Sequence, residues 1–240
     1  MSTPVDPPPN WGKDTLTTFF ELARENAFAS SVKTAEYEDL STLDAQWSTL
    51  AETIETSGTV LEGMFLIRAH AACRSAVYNA MSGQIPEGFV LLRSALECAL
   101  YAHHIFVSDA AAEIWLRRTD GDTRKDKSRK EFSYRNVRGS LVDADKELAE
   151  IAIRLYNDTI EFGGHPNEQA LLAVSDWLER GEDVVFTQHY LSGGSLEIKF
   201  GLVNAMRVGL CCLYIFRRIY KTRVDILGLT DELDRLKRKY

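Results

Sequence analysis

Apolar residues recur at steps of three and four along most of this chain, a spacing that fits amphipathic helices and leaves little room for an extended sheet. The pattern is densest over 87–107, where Phe89, Leu91, Leu92, Ala95, Leu96, Ala99 and Leu100 surround a few ionisable residues. Just before it, 58–82 repeats the spacing through Val60, Leu61, Met64, Ile67, Ala71, Ala76, Val77 and Met81, with small residues Ala71-Ala72-Cys73 that permit close helix approach. Gly83 and Pro86 separate the two runs. A joint of about four residues predicts an antiparallel helix pair, the hub of the fold.

Further helices are predicted on both sides of this pair. Leu16, Phe19, Phe20, Leu22, Ala23 and Ala27 mark one from Asp14, a suitable N-cap, to about residue 30. A second covers about 36–56, with Tyr37, Leu40, Leu43, Trp47, Leu50 and Ile54 on one face. Ser108 caps a short helix over 110–118, which Asp120-Gly121-Asp122 breaks. Helical spacing returns over 143–162, stopped by Gly163-Gly164, then from Ser195, read as a cap, to about Lys221, and again from Leu229. Over 171–190 two readings compete, and a small β-hairpin is preferred to a helix because Asp183-Val-Val-Phe-Thr-Gln-His-Tyr190 is rich in strand formers. The expected fold is mainly all-α, a multi-helix bundle around a central antiparallel pair, with one domain over 13–240 and a flexible Pro-rich arm over 1–12.

Composition narrows the functional classes. The chain is 45% hydrophobic and 26% charged, ordinary for a globular protein, and charges interrupt each long apolar stretch, so no membrane span is expected. The first residues have neither basic nor apolar leader character, which points to the cytoplasm. A net charge of −7 argues against a uniformly basic nucleic-acid-binding surface, although residues 1–62 alone hold eleven acids against three bases, so basic patches can exist elsewhere. The run 117–130 carries seven bases and three acids, and reads either as a solvated loop or helix face or as a phosphate-contacting patch with Phe132, Tyr134 and Arg135 beside it as stacking groups. Cys73, Cys98, Cys211 and Cys212 lie in apolar patterns without CxxC spacing and are expected as buried free thiols; no metal or cofactor is expected.

Two groups of residues could carry chemistry. Arg93, Glu97, Tyr101 and His104 fall at steps of four, four and three, one stripe of the hub helix. A pair such as Arg93 and Glu97 within an apolar helix would be desolvated, at a cost of several kcal/mol per ion unless hydrogen bonds compensate. The second group is Tyr156 with the loop Gly163-Gly164-His165-Pro166-Asn167, where glycines allow close backbone approach and Asn167 offers a donor and an acceptor. The candidate catalytic residues are Arg93, Glu97 and His165, and the candidate ligand contacts are Tyr156, Asn167, Tyr101 and His104.

Leu92-Arg93-Ser-Ala-Leu-Glu97, followed by Tyr156 and Gly163-Gly-His165-Pro-Asn167, resembles uncharacterised bacterial helical proteins of the HEPN-like type, over roughly 58–220. The resemblance implies a compact helical bundle, often a homodimer, that binds or processes a nucleotide or RNA in a defence or toxin setting. The Arg-to-His spacing of four to six residues that marks ribonucleases of that group is absent: nine residues separate Arg93 from His103 and ten separate Arg154 from His165. Two functions therefore stand side by side. Either Arg93, Glu97, Tyr156 and His165 converge on a phosphate-bearing ligand, with Arg93 holding the anion and His165 moving a proton, or these groups form a structural network in a scaffold or regulatory partner.

Overall fold

The computed structural model describes residues 6–54, 60–164, 168–172, 175–180 and 183–240. Among them the helices are α1 (Thr15–Lys33), α2 (Glu36–Glu52), α3 (Val60–Ser82), α4 (Ile85–Phe106), α5 (Asp109–Leu116), α6 (Asp122–Glu131), α7 (Tyr134–Ala144) and α8 (Lys146–Thr159). A π-helical turn (Ile160–Gly164) extends α8, and α9 (Glu168–Leu172), α10 (Ser195–Ile219), α11 (Lys221–Ile226) and α12 (Thr230–Lys239) follow. The strands β1 (Ser175–Arg180) and β2 (Asp183–Gln188) form one antiparallel hairpin in which Trp177 pairs with Phe186. The all-α bundle expected from the spacing is the architecture of the chain.

The hub pair is antiparallel, as the short joint requires. Near the joint, a Cβ at Gly88 of α4 would lie 3.3 Å from the Ala76 carbonyl of α3; at the far end, Phe65 of α3 packs against Tyr101 of α4 with ring centroids 6.2 Å apart. Gly83 makes the turn with φ +90°, a conformation open to glycine without strain, and its carbonyl accepts from Ser192 N at 2.8 Å. The third central element is α10, whose Leu202, Met206, Leu213 and Phe216 are fully buried. By length and composition α10 could cross a membrane, but 72% of its most apolar window is buried inside the bundle, the position of a core helix.

The remaining helices cover this three-helix centre. On α3 sits α1, where Ser30 Oγ donates to the Met81 carbonyl at 2.9 Å. Against α10 lies α2, through Leu43, which meets Gly209, and Trp47, whose ring centroid is 5.7 Å from that of Phe216. Asp14 and Ser108 cap α1 and α5 as expected, accepting from Leu16 and Thr17 N and from Ala111 N respectively. Ser195, by contrast, is the first residue inside α10, and Gly194 is the cap.

Other departures have physical causes. The charged run contains α6, a helix with no apolar side chain and only Ser128 buried, so no apolar period announces it. Next to it α7 is short and buries only Val137 and Leu141. At the N-terminal end, Trp11 stacks on Phe20 of α1 with centroids 6.0 Å apart, and Gly12 N donates to Thr17 Oγ1 at 3.0 Å. In 171–190 helix and strand both occur, α9 ending at Leu172 before β1 begins at Ser175; residues 181–182, between the strands, lie outside the described residues.

Candidate functional site

The polar stripe of α4 divides into two halves. In the first, Arg93 Nε donates to Glu97 Oε1 at 3.0 Å, and the Tyr156 hydroxyl, from α8, donates to the same oxygen at 3.2 Å. The Arg93 guanidinium stands over the Tyr156 ring, 5.1 Å from its centroid. Tyr156 in turn stacks on Tyr134 of α7 with centroids 4.0 Å apart and planes 15° apart. Burial, and then the Glu97 carboxylate, push the Tyr156 phenol upward, so it remains a donor. The pair is less desolvated than an apolar helix led one to expect: the Arg93 and Glu97 side chains are 29% and 42% exposed.

The second half of the stripe serves packing. The Tyr101 hydroxyl donates to the Phe132 carbonyl at 2.9 Å, and His104 Nε2 meets Glu131 Oε1 at 3.2 Å. Their rings, with Phe65, Trp115 and Phe132, form an aromatic cluster that fixes the α6–α7 junction against α4. Thus Arg93, Glu97 and Tyr156 come together, whereas Tyr101 and His104 are spent on a neighbouring contact. His165 and Asn167 lie outside the described residues. The described start of their loop, Gly163, abuts Pro86, where a Cβ would come 2.2 Å from the carbonyl oxygen. Pro86 stands eleven residues before Glu97, roughly 16 Å along the α4 axis.

A second polar group links α2 and α3. Asp44 accepts from Arg74 through both oxygens, at 2.7 and 2.8 Å, and meets His70 Nε2 at 2.6 Å, while the His70 ring stacks on Trp47. The Arg74 hydrogen bonds outweigh the burial of Asp44 and hold its carboxyl below the usual range; burial keeps His70 below its ordinary value despite Asp44. Among the described residues no group of three or more His, Cys, Asp or Glu is placed to hold a metal. The four thiols are free, with Cys73 and Cys211 pushed up to about 12 and Cys98 to about 11 by burial, and so are poor nucleophiles.

A concavity of about 840 Å³ lies elsewhere, between α8, α10 and α12. On α10, Arg207, Leu210, Cys211, Tyr214, Arg217 and Arg218 fall at steps of three and one, a single stripe facing the cleft, and Lys221 at the start of α11 continues the lining. On α8, Leu148, Ile151, Arg154, Leu155 and Asp158 do the same, and α12 adds Lys237, with Tyr240 just beyond it. The floor is aliphatic and the rim cationic: six Arg or Lys against Asp145, Glu147 and Asp158. Arg218 is committed to Asp145 at 3.0 Å, and Arg207 Nε donates to the Tyr240 carbonyl at 3.2 Å. Arg217 and Lys237 stand over the Tyr214 ring at 6.0 and 5.3 Å from its centroid. Among the described residues Arg154 and Lys221 have no ion pair, and Asp158 has none either.

A cleft of this size falls within the range of small-ligand sites, and its cations can hold an anion against apolar walls. Reading the sequence for paired or clustered motifs missed it. The available signal was the recurrence of bases at 207, 217, 218 and 221 within and just past the α10 pattern, where Arg207, Arg217 and Arg218 lie on the stripe that carries Tyr214. Comparison with protein-family models, with curated proteins and with solved structures found no match to this chain.

Proposed function

We propose that the chain binds a phosphate-bearing ligand, a nucleotide or a stretch of RNA, in the cleft between α8, α10 and α12, in line with the HEPN-like resemblance of its sequence. One observation carries the reading: six Arg or Lys side chains ring an 840 Å³ cleft in a protein whose net charge is −7. A concentration of positive charge against that background focuses field on the cleft and draws anions to it. The aliphatic floor and the Tyr214 ring suit the nonionic part of a nucleotide, since base–aromatic stacking tolerates any base. The bases on α10 extend from Arg207 to Arg218, eleven residues or roughly 16 Å, with Lys221 of α11 beyond, so the cationic wall is longer than one phosphate group.

The test is a titration of fluorescent ATP and of a short single-stranded RNA at two salt concentrations. Binding should weaken as salt rises, and Arg207→Ala and Arg217→Ala should each reduce affinity about tenfold, the scale of a lost charge-assisted contact. Arg93→Ala, with an unchanged melting profile, should bind as the wild type does. Failure of both ligands to bind at low salt, or equal binding by the double cleft variant, would exclude the proposal. A second reading, a scaffold or regulatory partner with a structural polar centre, draws on the internal bonding of Arg93, Glu97 and Tyr156. It predicts that Arg93→Ala lowers the melting temperature and alters no ligand affinity.

A further inference from the structure

One carboxyl in the cleft runs against the anion-binding character of its walls. Asp158 lies one helical turn beyond Arg154 on the α8 stripe, faces Arg207 across the cleft, and is partly buried. Despite these neighbours it has no ion pair among the described residues, so neither guanidinium is fastened to it. A phosphate bound by these two arginines brings like charge against this carboxylate. Such a group must either leave, repel the ligand, or lose its charge.

We propose that Asp158 makes anion binding proton-coupled: as a phosphate comes between Arg154 and Arg207, the Asp158 carboxylate takes up one proton from solvent and donates it in a hydrogen bond to a phosphate oxygen. This rests on the cleft being the ligand site. The proton balance is closed, since up to one proton enters with each ligand bound, less where the carboxyl is already protonated, and the same amount leaves on release. Burial already raises the Asp158 carboxyl above the ordinary value, against the opposing influence of Arg207 and Arg154, so the further cost of protonation is reduced. The other groups lining the cleft leave this assignment to Asp158. Arg154 on α8, Arg207 on α10 and Lys237 on α12 carry fixed charge, whereas Cys211 and Tyr214 on α10 and Tyr240 beyond α12 are each pushed upward, first by burial, and stay protonated. Asp145 and Glu147 lie at the other end of the cleft, three or more helical turns away.

The experiment uses a hexauridylate without terminal phosphates, whose diester groups do not themselves titrate near neutrality. Calorimetry at pH 5 to 7.5, in paired buffers of different ionisation heat, measures protons taken up per strand bound. Wild type should take up a fraction of a proton that Asp158→Asn does not, and Asp158→Asn should bind at least threefold more tightly at pH 7.5, with a flatter dependence on pH. Equal proton uptake in the two proteins, or no gain in affinity in the variant, overturns the coupling while leaving the cleft as the ligand site. The paired-buffer result on the wild type alone tests the coupling if the variant folds poorly, because absence of uptake at every pH also overturns it. Absence of RNA and ATP binding throughout would instead remove the cleft reading, and the coupling with it.

Discussion

His103 shows how a single residue of the hub helix links the core to pH. Its side chain is 1% exposed, and its Nδ1 has no hydrogen-bond partner among the described residues. Burial, and next the Arg218 guanidinium, bring its imidazole down to about 4. The folded protein therefore holds His103 neutral where an unfolded chain, with an ordinary value near 6.5, binds a proton. Below that value the unfolded state binds more protons than the folded one, so stability falls as pH drops from about 6.5 towards 4. The full span corresponds to about 3 kcal/mol. Urea midpoints at pH 4.5 and 7.5 should show His103→Leu losing roughly 2 kcal/mol less over this interval than wild type does. Parallel pH profiles would mean that the ring is solvated or paired in the native state.

At the scale of elements, the short joint between α3 and α4 sets the bundle. Gly83 has φ +90°, and a Cβ there would come 2.3 Å from the Ser192 carbonyl oxygen. Gly83→Ala thus meets a backbone clash as well as a disfavoured conformation, and should destabilise by about 2 kcal/mol or more, read from chemical denaturation. Gly139, by contrast, has nothing near its missing Cβ, so Gly139→Ala in α7 should be neutral or slightly stabilising in the same assay. Joint and pair were legible because a Gly and a Pro interrupt two long apolar patterns. The polar stripe was legible for a similar reason: Arg93 and Glu97 are one turn apart on one element, and local spacing specifies their meeting. What α6 packs against was not, since its place depends on Glu131 reaching His104 and on Phe132 entering an aromatic cluster with Tyr101 and Trp115. The cleft was hidden more deeply. Its walls come from 145–158, 207–221 and 237–240, and each stripe reads by itself as the ordinary outer edge of an amphipathic helix.

Across the whole molecule, the acidic N-terminal quarter and the basic C-terminal helix are joined through Asp39. This carboxylate of α2, 9% exposed, accepts from the Tyr240 hydroxyl at 2.8 Å, from Arg235 at 3.3 Å and from Lys239. Burial alone would raise it, but the hydrogen bonds from Lys239, Tyr240 and Arg235 outweigh burial and hold it below the ordinary value. Its contribution is therefore present above the unfolded value near 4 and is lost as pH falls through the lower folded value. The same clasp places α12, and with it Lys237 and Tyr240, along one wall of the cleft. Asp39→Asn removes the charge that gathers three donors, and should lower stability by about 1–3 kcal/mol at neutral pH. Because α12 buries only Leu233 and Leu236, local release of that helix should precede global unfolding. Hydrogen exchange in the variant should thus accelerate over 230–239 while α3, α4 and α10 keep their protection. If Lys237 belongs to the anion site, ATP or RNA affinity should fall in step with that exchange, although Asp39 itself lies outside the cleft. Unchanged exchange over α12 would show that Leu233 and Leu236 hold the helix without the clasp.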